Sequence, residues 1–135
     1  MPSWLLNQVA LPAQRIVAEA LGSIGARRQH YSVLSALEEF GPASQAALGR
    51  RCGIDRSDMV ALVNELAAAG RLERTPDPDD RRRNVIAITE GGRRFLSELD
   101  RLLTDAQDEL LTPLSAPERA DLVRLLGAVL DHHSD

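Results

Sequence analysis

The stretch from Ser44 to Thr89 constrains the fold more than any other part of this 135-residue chain. Ser44 is a good N-cap, and Ala47, Leu48 and Cys52 follow at spacings that place them on the inner side of a short helix. Gly53 supplies a turn, Asp55 caps a second helix, and Asp58 stands at the N3 position as a capping-box variant. Within that second helix Met59, Leu62, Val63 and Leu66 share one face. The opposite face carries Ser57, Ala61 and Asn64, flanked by Arg56 and Val60, and is small enough for its backbone to approach another surface closely. Gly70 ends the helix. Leu72-Glu73-Arg74-Thr75 and Val85-Ile86-Ala87-Ile88 then read as paired strands, holding out a loop with Pro76, Pro78, Arg81, Arg82 and Arg83. Two helices across a tight turn, followed by a hairpin with a basic tip, spell a helix-turn-helix with a wing.

The flanks are helical. From Trp4 to Ile24, apolar residues recur at Leu5, Leu6, Val9, Ile16, Val17, Ala20, Leu21 and Ile24, with Pro12 either opening or kinking the helix. This apolar face is broader than a lone surface helix requires, so part of it is expected to face a partner chain. A helix from about Gln29 to Phe40 follows, with Val33, Leu34, Leu37 and Phe40 on one face and Gly41-Pro42 as its stop. Thr89 caps a long helix carrying Phe95, Leu99, Leu102, Leu103, Ala106 and Leu110, which Pro113 breaks. Ser115-Ala-Pro-Glu118 is a capping box with an early proline, and Leu122, Val123, Leu126, Val129 and Leu130 stripe the last helix. The expected fold class is mainly α with a small β-hairpin, a winged helix-turn-helix flanked by N- and C-terminal dimerisation helices. Residues 1–135 are expected to form one domain, with the winged part over about 29–92 and the dimerisation part over about 4–25 and 93–132.

Composition narrows the functional class. A hydrophobic share of 44% with 27% charged residues is that of an ordinary soluble protein. The chain has no apolar run near the ~18 residues of a membrane helix and no basic-then-apolar leader, so a bacterial cytoplasmic location is expected, on the nucleoid when DNA is bound. Cys52 is the lone cysteine, which excludes an internal disulfide framework. The net charge of -4 looks wrong for a nucleic-acid binder. Its distribution matters more, because phosphate contact is local and screened beyond roughly 10 Å. Acidic residues crowd the C-terminal third, at Glu98, Asp100, Asp105, Asp108, Glu109, Glu118, Asp121, Asp131 and Asp135, while Arg81–Arg83 stand apart. An acidic body with a basic tip argues for an oriented grip rather than indiscriminate coating.

A helix-turn-helix lays its second helix in the major groove, and an arginine-tipped loop reaches the neighbouring minor groove. The candidate DNA-binding residues are Ser44, Arg56, Ser57, Asp58, Ala61, Asn64, Asp80, Arg81, Arg82 and Arg83. Asp79 or Asp80 is placed to hold one guanidinium through a bidentate pair. Asp58 serves either as a cap or as an acceptor from cytosine N4, and Ser44 either caps alone or also donates to a phosphate. Arg15, His30 and Tyr31 are candidates to line a ligand pocket between a dimer base and the DNA-binding head. Cys52 reads as a buried small hydrophobe, with a redox sensor as the other reading. His132 and His133 point away from each other on a helix and are not assigned to a metal. There is no nucleophile set, phosphate-cradling glycine loop or paired-carboxylate motif, so neither enzyme activity nor a cofactor is expected.

The chain resembles the MarR family of bacterial transcriptional regulators. The match runs through Gly41-Pro42, Ser44-Gln45, Leu48-Gly49-Arg50-Arg51 and Gly53-Ile54-Asp55-Arg56-Ser57. It continues through Leu66, Gly70-Arg71-Leu72, Arg74 and the wing signature Asp77-Pro78-Asp79-Asp80-Arg81-Arg82, closing on Thr89 and Gly92. The resemblance implies a homodimer, formed through first and last helices, that binds a pseudo-palindromic double-stranded DNA operator as a repressor or sometimes an activator. It also implies release by a small aromatic or phenolic effector bound between base and head. Relatives that respond to oxidation carry a cysteine near the N-terminus, and this chain has none there. One departure stands out: Asp58 and Ala61 occupy positions where family members often carry a threonine and an arginine. The alternatives are a winged-helix protein-interaction module without sequence-specific DNA binding, or a thiol-based redox-responsive regulator.

Overall fold

Capping residues fix where most helices of this protein begin. In the computed structural model, which describes residues 1–134, the order is α1 (Pro2–Gly22), α2 (Arg28–Phe40), β1 (Ala43–Ser44), α3 (Gln45–Cys52), α4 (Arg56–Ala68), β2 (Leu72–Pro76), β3 (Asn84–Ile88), α5 (Glu90–Leu110) and α6 (Ala116–His133). Ser44, Asp55, Thr89 and Ser115 each accept a backbone N–H from the residue three further on. At Ser115 the Glu118 carboxylate returns the bond to the cap N–H at 2.8 Å, completing a capping box. At Asp55 only half of the expected box forms. Asp58 gives its N–H to Asp55 while its own carboxylate stays exposed.

Gly53 turns α3 into α4 at φ +66, a left-handed conformation suited to glycine. Gly92 is needed for a different reason. A Cβ there would overlap the Arg71 carbonyl oxygen, so α5 can meet the start of β2 only without a side chain. Pro12 does not open α1, which begins at Pro2 and runs through it.

The strands form an antiparallel sheet in the order β1-β3-β2, with Leu72 opposite Ile88, Pro76 opposite Asn84 and Ser44 opposite Val85. The hairpin was expected; β1 was not. Leu34, Leu37, Leu48, Met59, Leu62, Leu66, Ile86 and Leu99 are fully buried where α2, α3, α4, the sheet and α5 converge. This core anchors α4 from behind and leaves its other face free. α1 packs along α5, whereas α6 has no buried residue. Among the described residues no helix is long and apolar enough to cross a membrane.

Candidate nucleic-acid interface

The exposed side of α4 is a consequence of its buried side. With Met59, Leu62, Val63 and Leu66 in the core, helical geometry turns Arg56, Ser57, Val60, Ala61 and Asn64 outward, and all of these are exposed. The Ser57 hydroxyl donates to Asp55 Oδ1 at 3.0 Å, and the Asp58 N–H donates to the same oxygen at 2.9 Å. These bonds, the backbone N–H of Asp58 foremost, hold the Asp55 carboxyl below its ordinary range. The start of α4 is therefore firmly fixed.

The wing is a hydrogen-bonded structure rather than a loose tip. Asp77 N–H donates to the Arg83 carbonyl at 2.9 Å, closing the loop, and turns inside it join Asp80 to Asp77 and Arg83 to Asp80. Asp80 is the staple. Its Oδ1 accepts from the Arg82 N–H at 3.0 Å and from Arg82 Nε at 3.2 Å, and its Oδ2 lies 3.6 Å from Arg83 Nε. The Arg82 bonds, with the Arg83 charge behind them, hold the Asp80 carboxyl below its ordinary range. The expected bidentate pair is thus replaced by one carboxylate shared between backbone and neighbouring guanidinium groups. Arg82 is nonetheless 92% exposed, so the staple aims the cation without hiding it.

Between this wing and the helix-turn-helix lies a concave site of about 760 Å³. Ser44, Gln45 and Arg50 of the α3 region, Arg56 of α4, and Arg82, Arg83 and Asn84 of the wing line it, over a floor that includes Gly49, Ile54 and Met59. The fold thus brings Ser44, Arg56, Arg82 and Arg83 together. Ser57, Asp58, Ala61, Asn64 and Arg81 are exposed outside this lining, and Asp80 serves the wing from within. Ser44 Oγ accepts from the Ala47 N–H at 3.2 Å, its capping role.

The sequence-predicted pocket residues separate. A cavity of about 520 Å³ lies among α1, α2 and α5, walled by Ala13, Val17, Leu21, Leu103 and Leu110, with Gln14, Arg27, Arg28, Tyr31 and Gln107 as polar groups. Tyr31 belongs to it, and its hydroxyl donates to Asp100 Oδ1 at 2.7 Å, which raises the phenol above its ordinary range. Arg15 is exposed and not part of the lining. His30 is buried outside that lining and ties α2 to α4. The Arg27 N–H donates to its Nδ1, so the ring proton sits on Nε2 and is given to Glu65 Oε2 at 2.8 Å. Arg27 Nη2 reaches the same oxygen at 2.7 Å. These bonds, that of His30 first, hold the Glu65 carboxyl below its ordinary range. Arg27 and Glu65 were absent from the sequence-based candidates. They lie 38 positions apart, and no local pattern links them.

Cys52 is half-buried, and its thiol donates to the Ser32 carbonyl at 3.6 Å. Burial pushes the thiol up, away from the reactive thiolate.

An anchored helix with a small polar outer face, a stapled basic wing beside it and helices extending from both ends define a winged helix-turn-helix protein. A family model described as "MarR family" matches residues 24–83. The HTH-type transcriptional repressor NicR of Pseudomonas putida is 30% identical over 101 residues, covering 75% of this chain and 64% of NicR. A mutant MarR of E. coli, solved in complex with operator DNA, superposes with a TM-score of 0.77 at 26% identity, covering 95% of this chain and 92% of that one. PcaV of Streptomyces coelicolor, solved with its natural ligand, gives 0.75 at 27% identity over 95% and 93%. The chain belongs to the MarR family of transcriptional regulators. It spans 62–64% of the length of the curated relatives it matches first.

Proposed function

We propose that this protein is a homodimeric transcriptional regulator, a repressor of the genes beside its operator, and acts in the bacterial cytoplasm on double-stranded DNA. The observation that carries this reading is the junction of the exposed α4 face with a cationic wing held in one orientation by Asp80. α4 enters the major groove, and Arg81–Arg83 reach the adjacent minor groove, where negative potential favours arginine. That MarR of E. coli was solved with operator DNA supports DNA binding by a protein of this fold.

The cavity among α1, α2 and α5 fits a small aromatic or phenolic effector. Its walls are apolar, and the Arg27 and Arg28 guanidinium groups supply cations that orient an anion. PcaV, solved with its natural ligand, supports ligand binding by a protein of this fold. Arg27 also reaches Glu65 of α4, which gives an occupant of the cavity a physical route to the DNA-reading helix.

Ala61 and the net charge of -4 favour the competing reading, a winged interaction module that does not read DNA. Mobility shift against the DNA upstream of the coding sequence, at two salt concentrations, separates them. Retention that weakens steeply with salt supports the regulator, and absence of retention at low salt supports the module. Addition of salicylate as a probe anion tests release.

A further inference from the structure

Arg74 stands where the α4 face meets the wing. Side chains alternate along a strand, so Arg74 lies on the same side of β2 as the buried Leu72, two residues nearer the wing. The core has ended by that point. Arg74 is exposed, and its Nη2 donates to Oδ1 of Asn64 on α4. Its partner there is a neutral amide, so that bond brings no negative charge against the guanidinium.

The bond also changes what Asn64 can do. An asparagine reads adenine with both ends of its amide, accepting from N6 and donating to N7. With one lone pair of Oδ1 and the side-chain orientation taken up by Arg74, Asn64 has its two Nδ2 hydrogens as the larger share of its free hydrogen-bonding capacity. Together with the remaining guanidinium hydrogens, the pair presents mainly N–H donors and a positive charge, and it suits an anionic partner rich in acceptors.

We propose that Arg74 and Asn64 clamp one phosphate of the DNA strand that runs between the groove entered by α4 and the groove entered by the wing. This rests on the DNA-binding reading above. A single sugar–phosphate strand separates a major groove from its neighbouring minor groove, and Arg74 lies between the elements assigned to them. Phosphate oxygens accept hydrogen bonds and carry the charge that a guanidinium matches. The clamp supplies, from β2, a cation that the α4 face lacks at Ala61.

The test uses the full chain and the upstream duplex that it retains, with affinity measured across a salt series. Arg74→Gln is expected to weaken binding about tenfold and to reduce the log–log salt slope by about 0.9. The base preference selected from a randomised duplex pool stays unchanged. Asn64→Asp keeps an acceptor for Arg74, so it preserves any bracing of β2 against α4 and leaves the thermal midpoint equal or higher. It nevertheless places a carboxylate against the phosphate, and the same loss of affinity and slope is expected. Wild-type affinity in Asn64→Asp would reduce Arg74 to a brace and overturn the clamp. An unchanged slope with relaxed preference at one base pair in Arg74→Gln would make the pair a base reader and overturn it too. Wild-type protein that retains no duplex at any salt would remove the DNA-binding reading itself, whereas unaffected variants of a DNA-binding wild type remove only the clamp.

Discussion

In the winged head, α2, α3, α4 and the sheet bury Val33, Leu37, Leu48, Leu62 and Ile86 almost completely within one chain. In the helical base, Trp4 is 61% exposed, Leu126 42% and Leu130 66%, with Leu5, Val9, Leu11, Val123 and Val129 also open to solvent. Both regions carry apolar stripes at helical spacing, and only the first finds its complement in the same chain. The head is thus a closed core with its working surface facing outward. The base is one half of a core. Fully burying a Leu or Val side chain contributes about 2 kcal/mol, and in the proposed homodimer a second copy of α1 and α6 would cover the open stripe. A twofold base would also fix the separation of two α4 helices at roughly 34–36 Å, one turn of DNA.

The substitution expected to do most damage strikes the base. Leu126→Asp places a charge in the open stripe, and light scattering should show monomers instead of dimers. Operator affinity should fall by about 10²- to 10⁴-fold, because each head then binds a half-site alone. A dimer that persists would break the contrast between closed head and open base. Next comes Leu48→Ala in the head, where the side chain is fully buried. Denaturant unfolding should report a loss of about 2–5 kcal/mol. Leu130→Ala, measured at dilutions where dimers dissociate, should change stability by less than about 0.5 kcal/mol. Equal effects at the two positions would erase the distinction.

A smaller effect belongs to the wing. Arg82→Ala should leave stability within about 0.5 kcal/mol and lower the salt slope of operator binding by about 0.9 if one phosphate contact is lost. An unaltered slope would take Arg82 out of the grip. The smallest effect lies where the start of α2 is tied to α4, with Arg27 and His30 meeting Glu65. A carboxyl held below its unfolded value adds stability above the ordinary glutamate range of about 4.3 and loses it as pH falls through the depressed folded value. Glu65→Gln should therefore shrink the drop in thermal midpoint on acidification below about pH 5. An identical drop in both proteins would deny this tie any such role.

Local chemistry made most of the head legible from the sequence. Ser44, Asp55 and Thr89 cap as their residue types demand, and the Met59–Leu66 pattern fixes which face of α4 is left outside. β1 escaped because Ala43–Ser44 offers no alternation; its partner Val85–Ile86 alone creates it. α1 likewise runs on through Pro12, against local propensity, along its contact with α5. At the site, Arg81–Arg83 were visible as a charge run and Asp80 as their neighbour. The shared geometry of the Asp80 carboxylate depends on how the loop closes between Asp77 and Arg83. Arg27–Glu65 and Arg74–Asn64 are contacts between elements, and neither spacing nor composition encodes them. Arg15 illustrates the reverse case: a plausible polar residue on α1 whose helical phase turns it away from the cavity.

The most direct test of a paired, winged grip is to sequence the genomic fragments that the purified protein retains. The account predicts enrichment of an inverted repeat whose half-sites are centred about 10–10.5 base pairs apart, bound by one dimer. Fragments with no shared repeat, or single half-sites bound as tightly as pairs, would contradict it.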